Sequence, residues 1–285
     1  MISNLFLSVG AMKAGTTWLF EQLRDHPDIY FTPEKEIHYF TDMAGIDPQL
    51  SHVSRVNKLQ AFLKYYSGDS IQHLCDNLEN VSWFSDYAQK EDIDDNWYKN
   101  LFRFNPGKKY CADFSNIYCQ MSSAHWARAY GVTDRLKVIY TLRDPLSRIW
   151  SHYKFHMKWT GHEDEVISMG FENFKFILNE PWFWVNAEYA RNYTSLLQGL
   201  RKDDLLVLYF EDFRLNPQHE LDRVQEFLEI SKIEIPEDKL KAKVNDTKEF
   251  RFPEEWKGYA LNKLKPICNE MKDLGIWHPN WKDLA

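Results

Sequence analysis

Cysteine is scarce in this sequence, with four residues in a chain of 285. Cys75, Cys111, Cys119 and Cys268 have no paired CxxC spacing, so we expect buried core thiols and neither a disulfide framework nor a metal site. Long apolar runs are also missing, since none approaches the roughly 18 residues that a membrane-spanning helix requires. The first strand begins at once, without the segments of a signal peptide, which predicts a cytoplasmic protein.

Positive charge is not in excess, because 35 Lys and Arg residues stand against 42 Asp and Glu residues for a net charge of −7. A general nucleic-acid-binding surface is therefore not expected, although an acidic protein can hold a local basic pocket. No repeat, low-complexity tract or obvious linker divides the chain. We therefore predict a single domain over residues 1–285, and the sequence leaves its oligomeric state open.

Short apolar strands alternate with amphipathic helices along the chain. The clearest predicted strands are Leu5–Val9, Ile29–Phe31, Leu136–Leu142 and Leu205–Phe210, and the clearest predicted helices are Glu188–Leu200, Pro217–Ile230 and Leu261–Leu274. This alternation predicts an α/β fold with a central parallel sheet flanked by helices on both faces. In such sheets, ligands bind beyond the carboxyl ends of the strands.

The stretch Leu5–Leu23 predicts a strand, a glycine-containing turn and a helix. Free backbone N–H groups at such a turn, and the positive end of the helix dipole, favour a phosphate. Gly10 and Gly15 have the spacing of a Walker A loop, but Thr16 holds the position of its lysine and the only lysine is Lys13, inside the loop. A P-loop nucleotide kinase needs that lysine after the second glycine, so it is the weaker hypothesis.

A second anion-binding pattern follows the strand that ends at Leu142. Arg143 stands at the strand end, and Ser151 lies eight residues on, past a proline that can begin a helix. A guanidinium offers paired donors and a serine hydroxyl one more, which suits a phosphate monoester. Alone, Arg143 could equally pair with Asp144 or with a surface carboxylate. Together with the Lys13 turn, it predicts one site with two anionic positions.

These two patterns resemble those of a known family. Residues 13–18 resemble the 5′-phosphosulfate loop of sulfotransferases that use 3′-phosphoadenosine 5′-phosphosulfate (PAPS), and residues 143–153 resemble their 3′-phosphate motif. The resemblance implies a P-loop-like fold, no metal, and 3′,5′-adenosine bisphosphate (PAP) as a product. It assigns Arg143 and Ser151 to the 3′-phosphate, and Lys13 also to charge on the leaving oxygen. It assigns the 5′ end of the cofactor to Lys13, Ala14, Gly15, Thr16, Thr17 and Trp18.

The segment Lys35–Phe40, KEIHYF, is similar to a KExHFF-like segment of the heparan sulfate and bacterial carbohydrate sulfotransferases. That resemblance implies that Glu36 is the base that takes the acceptor proton and that His38 assists it. On an extended backbone the two side chains would face the same side, and their apolar neighbours predict a raised proton affinity for the Glu36 carboxylate. Glu36 could instead be a surface carboxylate paired with Lys35, and His38 a structural histidine.

The sequence departs from that subtype at three places. An acidic residue commonly lies three positions after the histidine, but Thr41 stands there and Asp42 follows, so a Glu/His/Asp trio stays open. Those enzymes often carry a lysine at the position of Phe114. The phenylalanine of this chain therefore lacks one cationic contact that the lysine would make near the sulfuryl group or the acceptor. Residues 245–250 faintly resemble the segment that closes over the cofactor, with Phe250 as a candidate adenine contact, but the disulfide-bearing loop that usually follows that segment is absent.

The acceptor is the least determined part of the prediction. The KEIHYF segment favours, by resemblance, a hydroxyl of a carbohydrate or glycoconjugate. The 11 Trp and 19 Phe residues could instead line an apolar pocket for a small-molecule or lipid alcohol. A P-loop nucleotide kinase and a non-catalytic nucleotide-binding module are the alternatives from other classes.

Overall fold

A computed structural model of the chain describes residues 1–47, 49–67, 77–89, 91–242 and 248–281. Its strands are β1 (Ile2–Ser8), β2 (Ile29–Phe31), β3 (Tyr110–Asp113), β4 (Thr133–Leu142) and β5 (Leu205–Tyr209). They form one sheet in the order β2-β3-β1-β4-β5, and every neighbouring pair is parallel. The predicted parallel sheet is therefore confirmed.

Helices occupy the connections between the strands and cover both faces of the sheet. In chain order they are α1 (Thr16–Leu23), α2 (Tyr39–Met43), α3 (His52–Ser67), α4 (Leu78–Gln89), α5 (Asp95–Asn100), α6 (Trp126–Val132), α7 (Pro145–Trp159), α8 (Gly170–Asn179), α9 (Pro181–Trp184), α10 (Tyr189–Gly199), α11 (Phe210–Leu215), α12 (Pro217–Leu228), α13 (Glu237–Lys241) and α14 (Glu254–Asp273). Helix α14 begins seven residues before its predicted start at Leu261, since Glu254 and Glu255 favour a helix N-terminus. Within the described ranges, no helix has the length and hydropathy of a membrane span.

The core lies on both faces of the sheet because successive strand residues point in opposite directions. Leu5 and Leu7 of β1 lie in one buried cluster, whereas Phe6 lies in another on the opposite face. Strand β4 follows the same alternation, with Val138 and Ile139 in the two clusters. Burial on both faces explains why these strands are apolar without a polar alternation.

The predicted core thiols are confirmed where the structure describes them. Cys111, Cys119 and Cys268 are buried and free. Cys75 lies outside the described residues.

The strand order opens a crevice at the carboxyl ends of β1 and β4, since the chain leaves β1 toward one edge of the sheet and continues from β4 toward the other. The loop after β1 stays paired with β4 beyond the strand. Ala11 N donates to Thr141 O at 2.8 Å, and Thr141 N donates to Gly10 O at 2.7 Å. This pairing brings the turn around Lys13 beside Arg143.

Candidate active site

The turn between β1 and α1 depends on two glycines. Gly10 has φ 125°, and a Cβ there would lie 2.4 Å from the carbonyl oxygen of Asn116. Gly15 has φ 94°, and a Cβ there would lie 2.7 Å from the ring of Phe210. Gly15 precedes the first residue of α1, and no side chain caps that helix end. The backbone N–H groups of the first turn are therefore free of a side-chain acceptor, which favours an anion.

Lys13 lies beside this helix end in a positive environment. Its Nζ atom is 4.2 Å from the centre of the Phe155 ring. Burial, followed by the positive charges of Arg143, Lys154 and Lys158, lowers the pKa of Lys13 to about 8. A cation held under such repulsion gains stability from a bound anion, because the anion offsets the neighbouring positive charges.

Arg143 contacts the same turn. Its Nη1 atom donates to Lys13 O at 3.1 Å, and its guanidinium carbon lies 4.5 Å from the centre of the Phe210 ring. Burial lowers its pKa, so the guanidinium is poorly solvated. The carboxylate of Asp144 instead accepts from Ser147 N at 2.6 Å and caps α7. The alternative in which Arg143 is neutralised by Asp144 is thus not the observed arrangement.

One face of α7 continues the site away from Arg143. Ser147, Ser151 and Phe155 follow one another at intervals of four residues, so they share that face, and all three line the cleft. Arg148 and His152 point away from it and are buried. The four-residue spacing after Pro145 could have revealed Ser147 and Phe155 from the sequence alone.

The cleft that these elements enclose has a volume of about 1250 Å³. Most of the sequence-predicted site residues line it together: Lys13, Gly15, Thr16, Thr17, Trp18, Glu36, Arg143 and Ser151. Ala14 and His38 do not line it; both are buried behind it. The lining also includes residues that the sequence reasoning missed, among them Asn116, Ser147, Lys154, Phe155, Arg214, Arg251 and Phe252.

Glu36 enters the cleft from the segment after β2. Its Oε2 atom lies 3.2 Å from His38 Nε2, its Oε1 atom accepts from Asn116 Nδ2 at 3.0 Å, and Lys35 Nζ lies 3.5 Å from Oε1. Burial is the largest single influence on its pKa and raises it, but the His38 hydrogen bond and the charge of Lys35 together outweigh burial and lower it. The predicted raised proton affinity is therefore wrong, because the apolar neighbours are not the groups that the carboxylate contacts.

The pairing of Glu36 with His38 has a different origin from the one predicted. His38 is not in a strand; it has φ 62°, in the left-handed region, and directly precedes α2. This turn, and not an extended backbone, brings its imidazole to Glu36. Lys35, whose Nζ donates to Thr17 Oγ1 at 3.1 Å, ties the same segment to the start of α1.

Neither residue considered for an acidic third position reaches the His38 imidazole. Thr41 Oγ1 donates to the backbone oxygen of His38 at 3.0 Å. The carboxylate of Asp42 instead interacts with the backbone of Leu50 and with the charge of Arg55. The trio is therefore not completed from the KEIHYF segment.

Phe114 lies in an aromatic cluster and not in the cleft. It is fully buried, with ring centres 5.2 Å from Phe6, 5.8 Å from Phe20 and 5.3 Å from Phe31. A lysine at this place would have to be buried among these rings.

The segment that precedes α14 contributes one aromatic ring to the cleft. Phe252 lines the cleft and stacks on Trp150, with ring centres 4.4 Å apart and nearly parallel planes. Phe250, the predicted adenine contact, instead accepts a hydrogen bond from Trp150 Nε1 through its backbone oxygen, at 3.0 Å. Residues 243–247, which include the start of the resembling segment, lie outside the described residues.

Comparisons with known proteins identify the family and the fold of the chain. Residues 4–254 match the family model of the sulfotransferase domain. The fold is similar to that of a sulfotransferase from Alicyclobacillus acidocaldarius, with 21% identity, a TM-score of 0.63, and coverage of 97% of this chain and 98% of that one. It is also similar to the sulfotransferase domain of the Synechococcus PCC 7002 olefin synthase, with 18% identity, a TM-score of 0.50, and coverage of 84% and 75%.

A third similar structure is the sulfotransferase domain from the curacin biosynthetic pathway, with 18% identity, a TM-score of 0.52, and coverage of 84% and 77%. No curated protein sequence matches the chain. The family match spans most of the chain and includes the Lys13 turn, Glu36 and Arg143. The chain therefore belongs to the sulfotransferase domain family and is a PAPS-dependent sulfotransferase.

Proposed function

We propose that this enzyme sulfates a hydroxyl group of a carbohydrate or glycoconjugate, with Glu36 as the base. The observation that carries the proposal is the position of Glu36, which lines the same cleft as Lys13 and Arg143 and is held there by Asn116 and His38. A carboxylate, a half-buried lysine and a half-buried arginine in one cleft would provide a proton acceptor and two anion-binding cations.

PAPS supplies an activated sulfuryl group on its 5′-phosphate and carries a second phosphate at the 3′ position. Lys13, the backbone N–H groups at the start of α1 and the hydroxyl groups of Thr16 and Thr17 would hold the 5′ end. Thr17 Oγ1 accepts from Lys35, so its own proton is available to an anion. Arg143 and Ser151 would hold the 3′-phosphate.

The electrostatics of the cleft support this fit. Burial lowers the pKa of both Lys13 and Arg143, and the two positive charges repel each other. Bound phosphate and sulfate groups would stabilise both cations.

Glu36 would take the proton of the acceptor hydroxyl as the acceptor oxygen attacks sulfur, and Lys13 would stabilise the charge that develops on the leaving oxygen. The lowered pKa of Glu36 keeps the carboxylate ionised and ready to accept that proton. Negative charge bound beside Lys13 would then raise the proton affinity of Glu36, since like charges favour its neutral form.

Arg143→Ala is expected to weaken PAP binding about 10- to 100-fold, because it removes charge-assisted hydrogen bonds to a phosphate. Isothermal titration calorimetry with PAP measures this directly, and the unchanged enzyme should bind PAP at micromolar concentrations. Absence of binding at those concentrations would contradict the assignment of the cleft.

Arg135→Ala is the matched control for Arg143→Ala. Arg135 lies near the start of β4, whereas Arg143 follows its end at the cleft, and Arg135 pairs with Glu229 on the surface. Its removal should change PAP affinity less than about twofold, as expected for a distant surface position. Equal losses in both variants would indicate a general effect of net charge and not a site at Arg143.

The acceptor class is tested with labelled PAPS and a panel of glycans, small-molecule alcohols and lipid alcohols. We expect the highest kcat/KM for a glycan, on the similarity of the KEIHYF segment to carbohydrate sulfotransferases. A consistent preference for small-molecule or lipid alcohols would replace the carbohydrate assignment and leave the role of Glu36 unaffected.

A further inference from the structure

We propose that Asp113, the last residue of β3, and Ser115, two residues later, form a positioning relay that holds His38 against Glu36. This inference rests on the proposed role of Glu36 as the base. The acidic residue that supports the Glu36–His38 pair is then Asp113 of β3, about 75 residues after His38, and not a residue of the segment that carries Glu36. The side chains of Asp113 and Ser115 make up this relay.

The relay begins with a short hydrogen bond inside the core. Asp113 and Ser115 are both fully buried. Ser115 Oγ donates to Asp113 Oδ1 at 2.6 Å and accepts from the backbone N–H of His38 at 2.8 Å. A backbone N–H can only donate, so the serine proton must point to Asp113. The direction of both hydrogen bonds is therefore determined. Asp113 orients the serine hydroxyl, and the hydroxyl oxygen accepts from the backbone N–H of His38.

The Asp113 carboxylate also holds the backbone two residues after His38, at Phe40. Asp113 Oδ2 accepts from Tyr118 OH at 2.7 Å, and that hydroxyl accepts from the backbone N–H of Phe40 at 3.4 Å. The backbone is thus bound at His38 through Ser115 and at Phe40 through Tyr118. Tyr98 OH also donates to Asp113 Oδ2, at 3.1 Å, whereas the contact of Tyr98 with the His38 segment is made by its ring, which stacks on Tyr39 with ring centres 4.7 Å apart.

This double attachment matters because His38 is in an unfavourable conformation. Its φ of 62° is uncommon for a residue with a side chain, and such a conformation persists only where the surroundings hold it. From this backbone position the imidazole reaches Glu36, with Nε2 3.2 Å from Oε2. Release of the His38 N–H would let the backbone relax and would lengthen or break the contact with Glu36.

A change in that contact has a distinct signature in the pH dependence of the reaction. The charged groups that face Glu36 are Lys35 and His38 on its own segment and Lys13 on the loop after β1. The His38 hydrogen bond is the largest of the influences that lower the pKa of Glu36, and burial opposes it. Loss of the His38 contact therefore raises that pKa and moves the acidic limb of the kcat/KM profile to higher pH.

Ser115→Ala tests the relay, with kcat, KM for PAPS and the pH profile as readouts. Misplacement of a reacting group by about 1 Å can lower a rate about 100-fold, so we expect kcat to fall about 10- to 100-fold with KM for PAPS nearly unchanged. The acidic limb of kcat/KM should move to higher pH. If Ser115→Ala does not fold, Ser115→Cys keeps the side-chain volume, weakens both hydrogen bonds and should change kcat and the pH profile in the same directions.

Tyr98→Phe is the matched control, because it removes one hydrogen bond from the same carboxylate without breaking the link to His38. It should lower the melting temperature as Ser115→Ala does, while kcat changes less than about twofold. Equal kcat values for Ser115→Ala and Tyr98→Phe, with an unshifted acidic limb, would overturn the relay. If the relay is overturned in this way but Glu36→Gln is inactive, Glu36 remains the proposed base. An active Glu36→Gln variant would instead remove both proposals.

Discussion

Lys13→Ala is expected to lower kcat for sulfuryl transfer about 100- to 1000-fold, the range seen when a group that stabilises transition-state charge is removed. The loss in PAP affinity should be smaller, less than about tenfold, because the backbone N–H groups at the start of α1 and Arg143 still bind anions. Single-turnover rates with saturating PAPS separate the two effects. Comparable losses in rate and affinity would contradict the separate roles of Lys13 and Arg143.

Lys13→Arg is the control that keeps the positive charge. The pKa of Lys13 is lowered to about 8 in the ligand-free enzyme, mainly by burial and by the charge of Arg143. The protonated form is the one that binds anions, so kcat/KM for PAPS should fall as pH rises through about 8. A guanidinium stays protonated at that pH, so the alkaline limb should disappear in Lys13→Arg even if its rate is low. An unchanged alkaline limb in that variant would assign it to another group.

Glu36→Gln is expected to lower kcat about 100- to 10 000-fold, the usual contribution of a general base, with PAP binding retained. The amide keeps the shape of the side chain but cannot take the acceptor proton. In the unchanged enzyme the pKa of Glu36 lies below its ordinary value of 4.5, since hydrogen bonding to His38 and the charge of Lys35 outweigh burial. The rate should therefore stay constant down to acidic pH and fall only as Glu36 becomes protonated.

Glu34→Gln is the matched control for that change. Glu34 lies two residues away and pairs with Lys58 at 3.1 Å, outside the cleft. It should keep kcat within about twofold of the unchanged enzyme. A Glu36→Gln variant that transfers sulfate at the normal rate would show that another group is the base.

The nucleotide-kinase hypothesis from the sequence is not supported by the family to which the chain belongs. The sequence feature that argued against it was local: Thr16 stands where a Walker lysine would be. The same loop supplies the Lys13 side chain from the opposite side of Gly15. Because the position of a side chain in a short turn follows from the sequence, this distinction could be made without the structure.

The contacts of a side chain with a distant segment of the chain could not be predicted from the sequence. The raised proton affinity predicted for Glu36 assumed that its chain neighbours are its spatial neighbours. In the structure the carboxylate instead contacts Asn116, from the turn after β3, and His38, from a left-handed turn. Those contacts depend on the packing of β3 beside β1, in which Leu5 pairs with Cys111, and a pairing between segments so distant in the chain has no local signal.

The sequence by itself determined the parallel sheet, the turns that carry Lys13 and Arg143, and the presence of Glu36 in the same cleft. Each of these is encoded by short-range features: strand hydropathy, glycine in a turn, proline at a helix start and fixed residue spacing. Only the tertiary structure decided how those groups behave. Burial and charges from separate elements lower the pKa of Lys13, and hydrogen bonds from β3 and its following turn set the conformation of His38 and the pKa of Glu36, because electrostatic and hydrogen-bond partners are chosen by distance in space.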